Sequence, residues 1–255
     1  MSIGATAKRI IGRTAGLALK PLGYELLKKS HTSLGAMSSV EALAGHLQEL
    51  FAQLRIDTVI DVGANLGQYY EFLRDRIGFT GRIVSFEPHP DLAAQLKKRA
   101  RADRQWQVHD CAAGSHEAVL PLKIMKRTGW SSLLDKKAVA ETEVAETVEL
   151  DRVVDVPVRP LDAVLVDAGR LYIKVDAQGT DLDVLKGAPR LVAQCLALQT
   201  ELEFMSVYEG SASYIETLRY LNERKFSLTG AFPIWTDEAM RIGEADAVFR
   251  NMNHA

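Results

Sequence analysis

The sequence predicts an α/β fold in which helices cover both faces of a doubly wound, mostly parallel β-sheet. The apolar run Thr58–Ile60 is short and rich in β-branched residues, which is typical of a parallel strand buried on both faces. The runs Arg82–Phe86 and Leu171–Asp176 have the same character, and each precedes a turn and a helical pattern. With 255 residues, of which 47% are hydrophobic and 25% charged, the chain can bury the core of one larger α/β domain.

The remaining elements follow in alternation. A helix is predicted from Ser39, with Leu43, Leu47 and Leu50 on an apolar stripe that should cover the sheet before the first strand. Further helices are expected from Gln68, over Pro90–Ala102, Thr180–Lys186 and Ser213–Arg224; further strands over Gln105–His109, Cys195–Glu201, Phe226–Thr229 and Ala245–Arg250; and an added strand over Val119–Ile124.

The N-terminus differs from the rest of the chain in charge. Residues 1–30 hold six lysines and arginines against one acid, Glu25, and their apolar stretches are interrupted by Gly12 and Gly16. They are too short for a membrane span, and no cleavable signal is evident. We expect a basic helical arm over residues 1–37, packed on the domain or lying on an anionic membrane surface, and a folded domain over 38–255 with an insertion or lid at about 115–150.

The first strand and the turn after it have the composition of a nucleotide-binding half-site. Gly63 and Gly67 permit a tight turn and a close approach of a ligand to the main chain, and the following helix presents free N–H groups. Glu87 ends the second strand, 20 residues after Gly67. An acid at this spacing is placed to bind the two hydroxyls of a ribose. The pattern therefore predicts a cofactor with a nucleoside.

The turn favours one cofactor over another. In the dinucleotide fingerprint the middle glycine seats a pyrophosphate, but Asn65 occupies that position here. Asp61 adds a carboxylate able to hold an ammonium group. S-adenosylmethionine has both an ammonium group and a ribose, whereas NAD is the rival. The residues predicted to bind the cofactor are Asp61, Gly63, Ala64, Asn65, Gly67, Glu87, Pro88, Asp110 and Ala112.

Several longer segments resemble one known family in the same order. They read DVGANLGQY, IVSFEPHP, VHDCAAG, VRPLDAVL, KVDAQGTDLDVLKGA and ELEFMSVYEG, together with Trp130-Ser131-Ser132-Leu133. Over about Gly23–Arg250 the chain is similar to the FkbM family of S-adenosylmethionine-dependent methyltransferases. The resemblance implies a class I methyltransferase fold, with a seven-stranded sheet and an antiparallel edge strand. It also implies methyl transfer to a hydroxyl, commonly of a sugar, glycolipid or polyketide. Gln178 and Asp181 stand where many members carry Glu.

A second group of polar residues ends the strand at Leu171. Lys174 and Asp176 share one face of that strand, and Asp176 lies at its C-terminal end, beside the crevice of a doubly wound sheet. Asp176 is our first candidate for the general base, with Lys174 keeping it ionised, and His109 is the second. Alternatively, Asp176 and Glu201 hold a Mg²⁺ that activates a substrate hydroxyl. The sequence leaves base and metal open, and the Lys174–Asp176 pair is equally compatible with a structural ion bridge.

The acceptor is expected to meet residues of the insertion and of the loop near residue 208. Trp130 and Ser132 combine an aromatic ring and a hydroxyl able to wall a sugar, while Glu201 and Tyr208 are expected at the crevice. An ordinary buried tryptophan and solvated acids are the alternatives. The predicted partner is a small-molecule, glycan or glycolipid acceptor.

Composition restricts the function further. A net charge of −2 provides no general attraction to nucleic acid, so no nucleic-acid partner is expected. Cys111 and Cys195 form neither a metal pair nor a disulfide framework, so the cytoplasm is the expected location, either in solution or at the inner face of the membrane. A homo-oligomer stays open. The rival functions are an NAD-dependent sugar oxidoreductase and a cofactor-binding module without catalysis.

Overall fold

The computed structural model describes residues 34–137, 149–165 and 169–254, with side chains from Ser39 onward. Two sheets are present. The larger contains β1 (Thr58–Val62), β2 (Arg82–Phe86), β3 (Trp106–His109), β7 (Leu171–Val175), β8 (Ala197–Glu203), β9 (Phe226–Thr236) and β10 (Ile242–Asn251), and the smaller contains β4 (Ala112–Ala113), β5 (Ala118–Met125) and β6 (Leu150–Arg159). The predicted strands therefore form, although the C-terminal pair is longer than expected.

The seven strands of the larger sheet lie in the order β3-β2-β1-β7-β8-β10-β9. The first five run parallel, and β10 runs antiparallel between β8 and β9, so that a reversed hairpin forms one edge. This confirms the predicted class I, Rossmann-like sheet. In the β1–β7 register Asp61 lies opposite Lys174. Because β1, β2 and β7 are parallel neighbours, their C-terminal ends meet at the same edge of the sheet.

Helices lie on both faces of this sheet. They are α1 (Leu34–Leu54), α2 (Gln68–Glu71) continued by a π-helical segment (Phe72–Ile77), α3 (Pro90–Ala100), α4 (Leu161–Val164), α5 (Asp181–Lys186), α6 (Pro189–Gln194) and α7 (Tyr214–Glu223). Helix α1 begins at Leu34, so Ser39 lies inside the helix and does not cap it. Ser213 caps α7 in a reciprocal capping box with Glu216.

The core divides into two layers because neighbouring strand residues point to opposite faces. Val59 and Tyr172 pack with Leu47 of α1 on one face. Ile60 and Ile173 pack with the C-terminal helices on the other face. The stripe that predicted a covering role for α1 therefore faces the sheet, as expected.

In the smaller sheet, whose strand order is β4-β6-β5, only β5 lies inside the segment of about 115–150 predicted as an insertion; β4 precedes that segment and β6 begins at its end. Strand β5 forms at the position of the added strand, whereas β6 was not predicted. Leu122, Ile124 and Val156 form a small core under it. Residues 138–148 of the predicted lid and 1–33 of the basic arm fall outside the described residues. Within the described ranges, no helix has both the length and the apolar character that crossing a bilayer requires.

Candidate active site

The turn between β1 and α2 needs unusual backbone angles. Gly63, Asn65 and Gly67 all have positive φ, at 78°, 47° and 85°. A Cβ atom on Gly63 would lie 1.8 Å from the carbonyl oxygen of Asp176, so only glycine fits between this turn and the end of β7. The close approach places the turn predicted to bind the cofactor next to Asp176, the first candidate for the general base.

Glu87 is fixed at the end of β2 by two backbone donors. The N–H of Asn65 donates to one carboxylate oxygen at 2.6 Å, and the N–H of His89 donates to the other at 2.8 Å. Each oxygen can accept a further hydrogen bond. Burial raises the pKa of Glu87 to about 7, although both backbone donors lower it. A carboxylate held this way can accept from two neighbouring hydroxyls.

A cavity opens above Glu87. The larger sheet provides one wall and the smaller sheet the other. The smaller sheet and its connections contribute Leu122, Thr128 and Ser131, among others. Thr128 also donates a hydrogen bond of 2.8 Å to the side-chain oxygen of Asn65, which joins the insertion to the turn after β1. We call this space the first cavity; its predicted members are Gly63, Asn65, Glu87, Pro88, Ala112, Ser132 and Asp176.

A second, more open cavity lies beside the first. Gly63, Asn65 and Asp176 line both, so the two spaces meet at the end of β1 and β7. Helix α1 and the α2 region close one side with apolar groups. The polar side is formed by Gln68, Tyr69, Lys174, Asp176, Gln199, Glu201 and Asp246. A reaction between ligands in the two cavities would therefore take place at Asp176.

Lys174 is buried and carries more partners than the sequence indicated. Its Nζ lies 3.3 Å from Asp176 Oδ2, as expected, and also 3.3 Å from Asp61 Oδ1. It donates to the carbonyl oxygen of Val62 at 3.2 Å as well. Burial lowers the pKa of Lys174, but the carboxylates of Asp176 and Asp61 outweigh it and the net shift is upward. This ammonium therefore stays charged and holds Asp176 beside the turn.

The other oxygen of Asp176 is held by Gln178, which has a positive φ of 50°. Gln178 Nε2 donates to Asp176 Oδ1 at 2.8 Å, and the hydroxyl of Tyr208 donates to Gln178 Oε1 at 2.7 Å. The Tyr208 hydroxyl also lies 3.2 Å from the carbonyl oxygen of Trp130. Tyr208, in the loop after β8, therefore links the side-chain amide of Gln178 to Trp130 of the insertion. Asp176 is thus oriented at both oxygens.

Two further carboxylates face the second cavity. Burial, followed by the negative charges of Asp176 and Glu244, raises the pKa of Glu201. Burial likewise raises the pKa of Asp246, which accepts a 2.6 Å hydrogen bond from Gln199. Asp246 was not found from the sequence, because it lies in a C-terminal strand far along the chain from the other groups.

The hypothesis of a metal ion finds no support in the donor geometry. Within the described ranges, no group of three or more His, Cys, Asp or Glu residues is arranged to hold a metal. The two proposed ligands, Asp176 and Glu201, are instead linked through the amide of Gln178, at 2.8 and 3.5 Å. An amide donor between two carboxylates takes the place that a cation would need.

Some predicted residues lie elsewhere. The His109 ring stacks on Phe86, with centroids 4.9 Å apart, and lines neither cavity, so it is not placed as a base. Asp110 is exposed and pairs with Lys97 at 2.7 Å. Asp61 is fully buried, pairs with Lys174 and lines neither cavity, so its contact with a ligand stays a prediction.

The remaining corrections concern positions at the rim. Ala64 lines the second cavity and not the first, while Gly67 packs beneath, against α3. Ser132 is buried in the first cavity and donates to the carbonyl of Gln178 at 2.7 Å. Trp130 and Tyr208 pack together and line neither cavity. Of the four residues predicted to contact the acceptor, Glu201 alone lines the second cavity. Ser132 and Tyr208 form hydrogen bonds with Gln178, and Trp130 packs against Tyr208.

Comparison with known proteins places the chain in a family. The profile described as the Methyltransferase FkbM domain matches residues 61–228, about two thirds of the chain. The chain belongs to the FkbM methyltransferase family. The match begins at Asp61, within β1, and includes Glu87, Asp176 and Glu201, but ends before Asp246. Comparison with curated proteins gives no match.

One solved structure agrees with this chain on the fold. The FkbM methyltransferase from Methylobacillus flagellatus KT is 20% identical with a TM-score of 0.51, over 76% of this chain and 43% of that one. This chain therefore spans less than half of that protein's length. Magnesium protoporphyrin IX methyltransferase from Synechocystis PCC 6803, solved with bound S-adenosylmethionine, is 10% identical with a TM-score of 0.41 over 98% and 100% of the chains. An rRNA methylase from Streptococcus thermophilus gives 9% and 0.43 over 89% and 98%. The last two likenesses are too weak to support an argument.

Proposed function

We propose that this chain is an S-adenosylmethionine-dependent O-methyltransferase that acts on a hydroxyl of a small molecule, preferably a sugar, glycolipid or polysaccharide. The observation that carries the proposal is the meeting of two cavities at Asp176, with Glu87 in the first. Family membership supports methyl transfer, and the geometry supports one ligand in each cavity. The substrate class rests on the resemblance of the sequence.

The first cavity suits the nucleoside half of the cofactor. Glu87 can accept from both ribose hydroxyls, and apolar groups of Phe86, Pro88 and Ala112 beside it suit an adenine ring. Gly63 and Asp176 also line this cavity, and both line the second cavity as well. When bound, the cofactor supplies a methyl group already activated on a positively charged sulfonium. What remains for the chain is to orient the acceptor oxygen and to take its proton.

Asp176 is the group that would accept this proton. The ammonium of Lys174 lies 3.3 Å from one oxygen of this carboxylate, and Gln178 fixes the direction of the other oxygen. General base catalysis of this kind contributes about 10²- to 10⁴-fold, and alignment of two bound reactants about 7–11 kcal/mol. Both contributions require the acceptor hydroxyl to lie in the second cavity next to Asp176.

The rival functions find less support. Asn65 replaces the glycine on which the pyrophosphate of NAD would lie, and its amide oxygen already accepts a hydrogen bond from Thr128. A binding module without catalysis would not need a carboxylate held by both an ammonium and an amide at the junction of two cavities.

Two measurements test the proposal. Thermal unfolding with S-adenosylhomocysteine should give an upward shift, since a ligand at 100 times its Kd stabilises by about 2.7 kcal/mol, whereas NAD should give none. Transfer of tritiated methyl from S-adenosylmethionine should then label hydroxyl-bearing glycans or glycolipids. A shift with NAD alone, or binding of S-adenosylhomocysteine without methyl transfer to any member of a broad panel, would contradict the methyltransferase function.

A further inference from the structure

A row of buried polar side chains crosses the larger sheet beneath the site. In the register of the parallel strands, Asp61 on β1 lies opposite Ser85 on β2 and Lys174 on β7. All three side chains are buried. Because alternate residues of a strand share a face, they lie on the same face as Val59 and Tyr172, which α1 covers. Asp61 and Ser85 line neither cavity, whereas Lys174 reaches the second.

Asp61 is held in place by a chain of hydrogen bonds from the edge of the sheet. The indole N–H of Trp106 on β3 donates to the hydroxyl oxygen of Ser85 at 3.0 Å, and that hydroxyl donates to Asp61 Oδ2 at 3.1 Å. Since an indole N–H can only donate, the single proton of the hydroxyl is left for Asp61. The Trp106 ring is itself stacked on Tyr70, with centroids 3.7 Å apart. One oxygen of Asp61 is therefore fixed by β2 and β3.

The other oxygen of Asp61 shares the ammonium of Lys174 with Asp176. Lys174 Nζ lies 3.3 Å from Asp61 Oδ1 and 3.3 Å from Asp176 Oδ2, and it also donates to the carbonyl oxygens of Val62 at 3.2 Å and Gly63 at 3.4 Å. An ammonium has three protons, so four acceptors compete for them. Without the charge of Asp61, the ammonium would be drawn towards Asp176 and the turn after β1. The position of Lys174, and with it that of Asp176, therefore depends on Asp61.

We propose that Asp61 is a positioning residue for methyl transfer, which acts on Asp176 through Lys174 and does not contact the cofactor. The inference rests on the proposed function, in which Asp176 takes the proton of the acceptor hydroxyl. It assigns Asp61 a role different from the contact with the cofactor that the sequence predicts. Ser85 and Trp106 extend the same support across β2 and β3. A reacting group keeps its geometry when the residues that contact it are themselves fixed by further packing and hydrogen bonds, as they are here.

The first test separates turnover from cofactor binding. Asp61→Asn keeps the shape of the side chain and removes its charge. Transfer of tritiated methyl is measured on the member of the glycan and glycolipid panel that the parent protein methylates fastest. We expect kcat to fall about tenfold, within the range of coupling between contacting side chains, and the Kd for S-adenosylhomocysteine to stay within twofold in calorimetry. A direct contact with the cofactor predicts a Kd raised at least about tenfold. That rise, or a parental kcat, would overturn the proposal.

A double variant tests whether Asp61 acts through Lys174. Lys174→Gln removes the ammonium, so adding Asp61→Asn to it should leave kcat as it is in Lys174→Gln alone. The double variant should also unfold at a higher temperature than Lys174→Gln, because the single variant leaves Asp61 buried without the ammonium. Losses of kcat that multiply, or a double variant that unfolds at a lower temperature, would refute the route through Lys174.

A milder variant keeps the charged pair intact. Ser85→Ala removes only the hydroxyl that holds Asp61 and should lower kcat about 2- to 10-fold, with the Kd for S-adenosylhomocysteine unchanged. Asp237→Asn is the control, since Asp237 pairs with Arg241 at 2.7 Å and lines neither cavity. It should keep the parental kcat and Kd. A parental kcat in Ser85→Ala would contradict the role of the row.

The parent protein separates this inference from the proposed function. If the parent methylates a member of the panel and Asp61→Asn does so equally fast, the positioning role is wrong and the methyltransferase stands. If the parent methylates no member, the proposed function is wrong and the inference falls with it.

Discussion

Replacing Glu87 with glutamine should weaken cofactor binding. The parent side chain accepts from the N–H groups of Asn65 and His89 with different oxygens. A glutamine can accept from one of the two and must direct its own N–H groups at the other. It also loses one of the two acceptors available to the ribose hydroxyls. Since a hydrogen bond to a charged group contributes about 1.5–3 kcal/mol, the Kd for S-adenosylhomocysteine should rise about 10- to 150-fold.

The same carboxylate should make binding depend on pH. Burial raises the pKa of Glu87 to about 7, from an ordinary value of 4.5. The ionised form accepts from the ribose, so affinity should increase as pH rises through 7 and fall as protons return. For a carboxyl of this pKa that is ionised in the complex, the Kd rises about eightfold when the pH falls from 7.5 to 6. Glu87→Gln should be insensitive over this range.

Isothermal titration calorimetry with S-adenosylhomocysteine between pH 6 and 7.5 measures both effects. Asp110→Asn is a matched control, because Asp110 is exposed and lies outside the first cavity, paired with Lys97. It should bind like the parent protein. The reasoning is refuted if Glu87→Gln binds within twofold of the parent, or if it keeps the parent's pH dependence.

Three further predictions follow from the geometry at the junction of the cavities. Asp176→Asn should lower the rate of methyl transfer about 10²- to 10⁴-fold, with the Kd for S-adenosylhomocysteine unchanged; near-parental turnover would remove Asp176 as the base. Gly63→Ala should reduce the free energy of unfolding by at least about 1–2 kcal/mol because of the positive φ at this position, with a further cost from the collision at 1.8 Å. The control, Gly45→Ala, has open space around it and should be neutral or stabilising in urea denaturation. Equal stabilities of the two variants would contradict the close approach of the turn to β7. Tyr208→Phe should lower kcat about 2- to 10-fold by freeing the amide of Gln178, with KM for S-adenosylmethionine unchanged; a change confined to KM would instead assign Tyr208 to cofactor binding.

Much of the fold and of the first cavity could be predicted because the signals are local. Gly63 and Glu87 lie at the ends of neighbouring strands, and a parallel pair brings such ends together whatever the rest of the chain does. The alternation in β7 similarly placed Lys174 next to Asp176. In each case a short segment and one rule of strand geometry were sufficient.

The second cavity could not be predicted because its parts come together only through the order of the sheet. Asp61 pairs with Lys174 because β1 and β7 are neighbours in register, which no local pattern reveals. Asp246 reaches the cavity because β10 inserts antiparallel next to β8. Trp130 and Tyr208 are aromatic residues of the kind that contact ligands, yet they pack on each other beside Gln178.

The most direct test of the central claim is a crystal structure of the protein with S-adenosylhomocysteine. The account predicts the ribose hydroxyls within hydrogen-bonding distance of both oxygens of Glu87, and the sulfur directed past Gly63 towards Asp176 and the second cavity. S-adenosylhomocysteine bound outside the first cavity, or bound there with its sulfur turned away from Asp176, would contradict it.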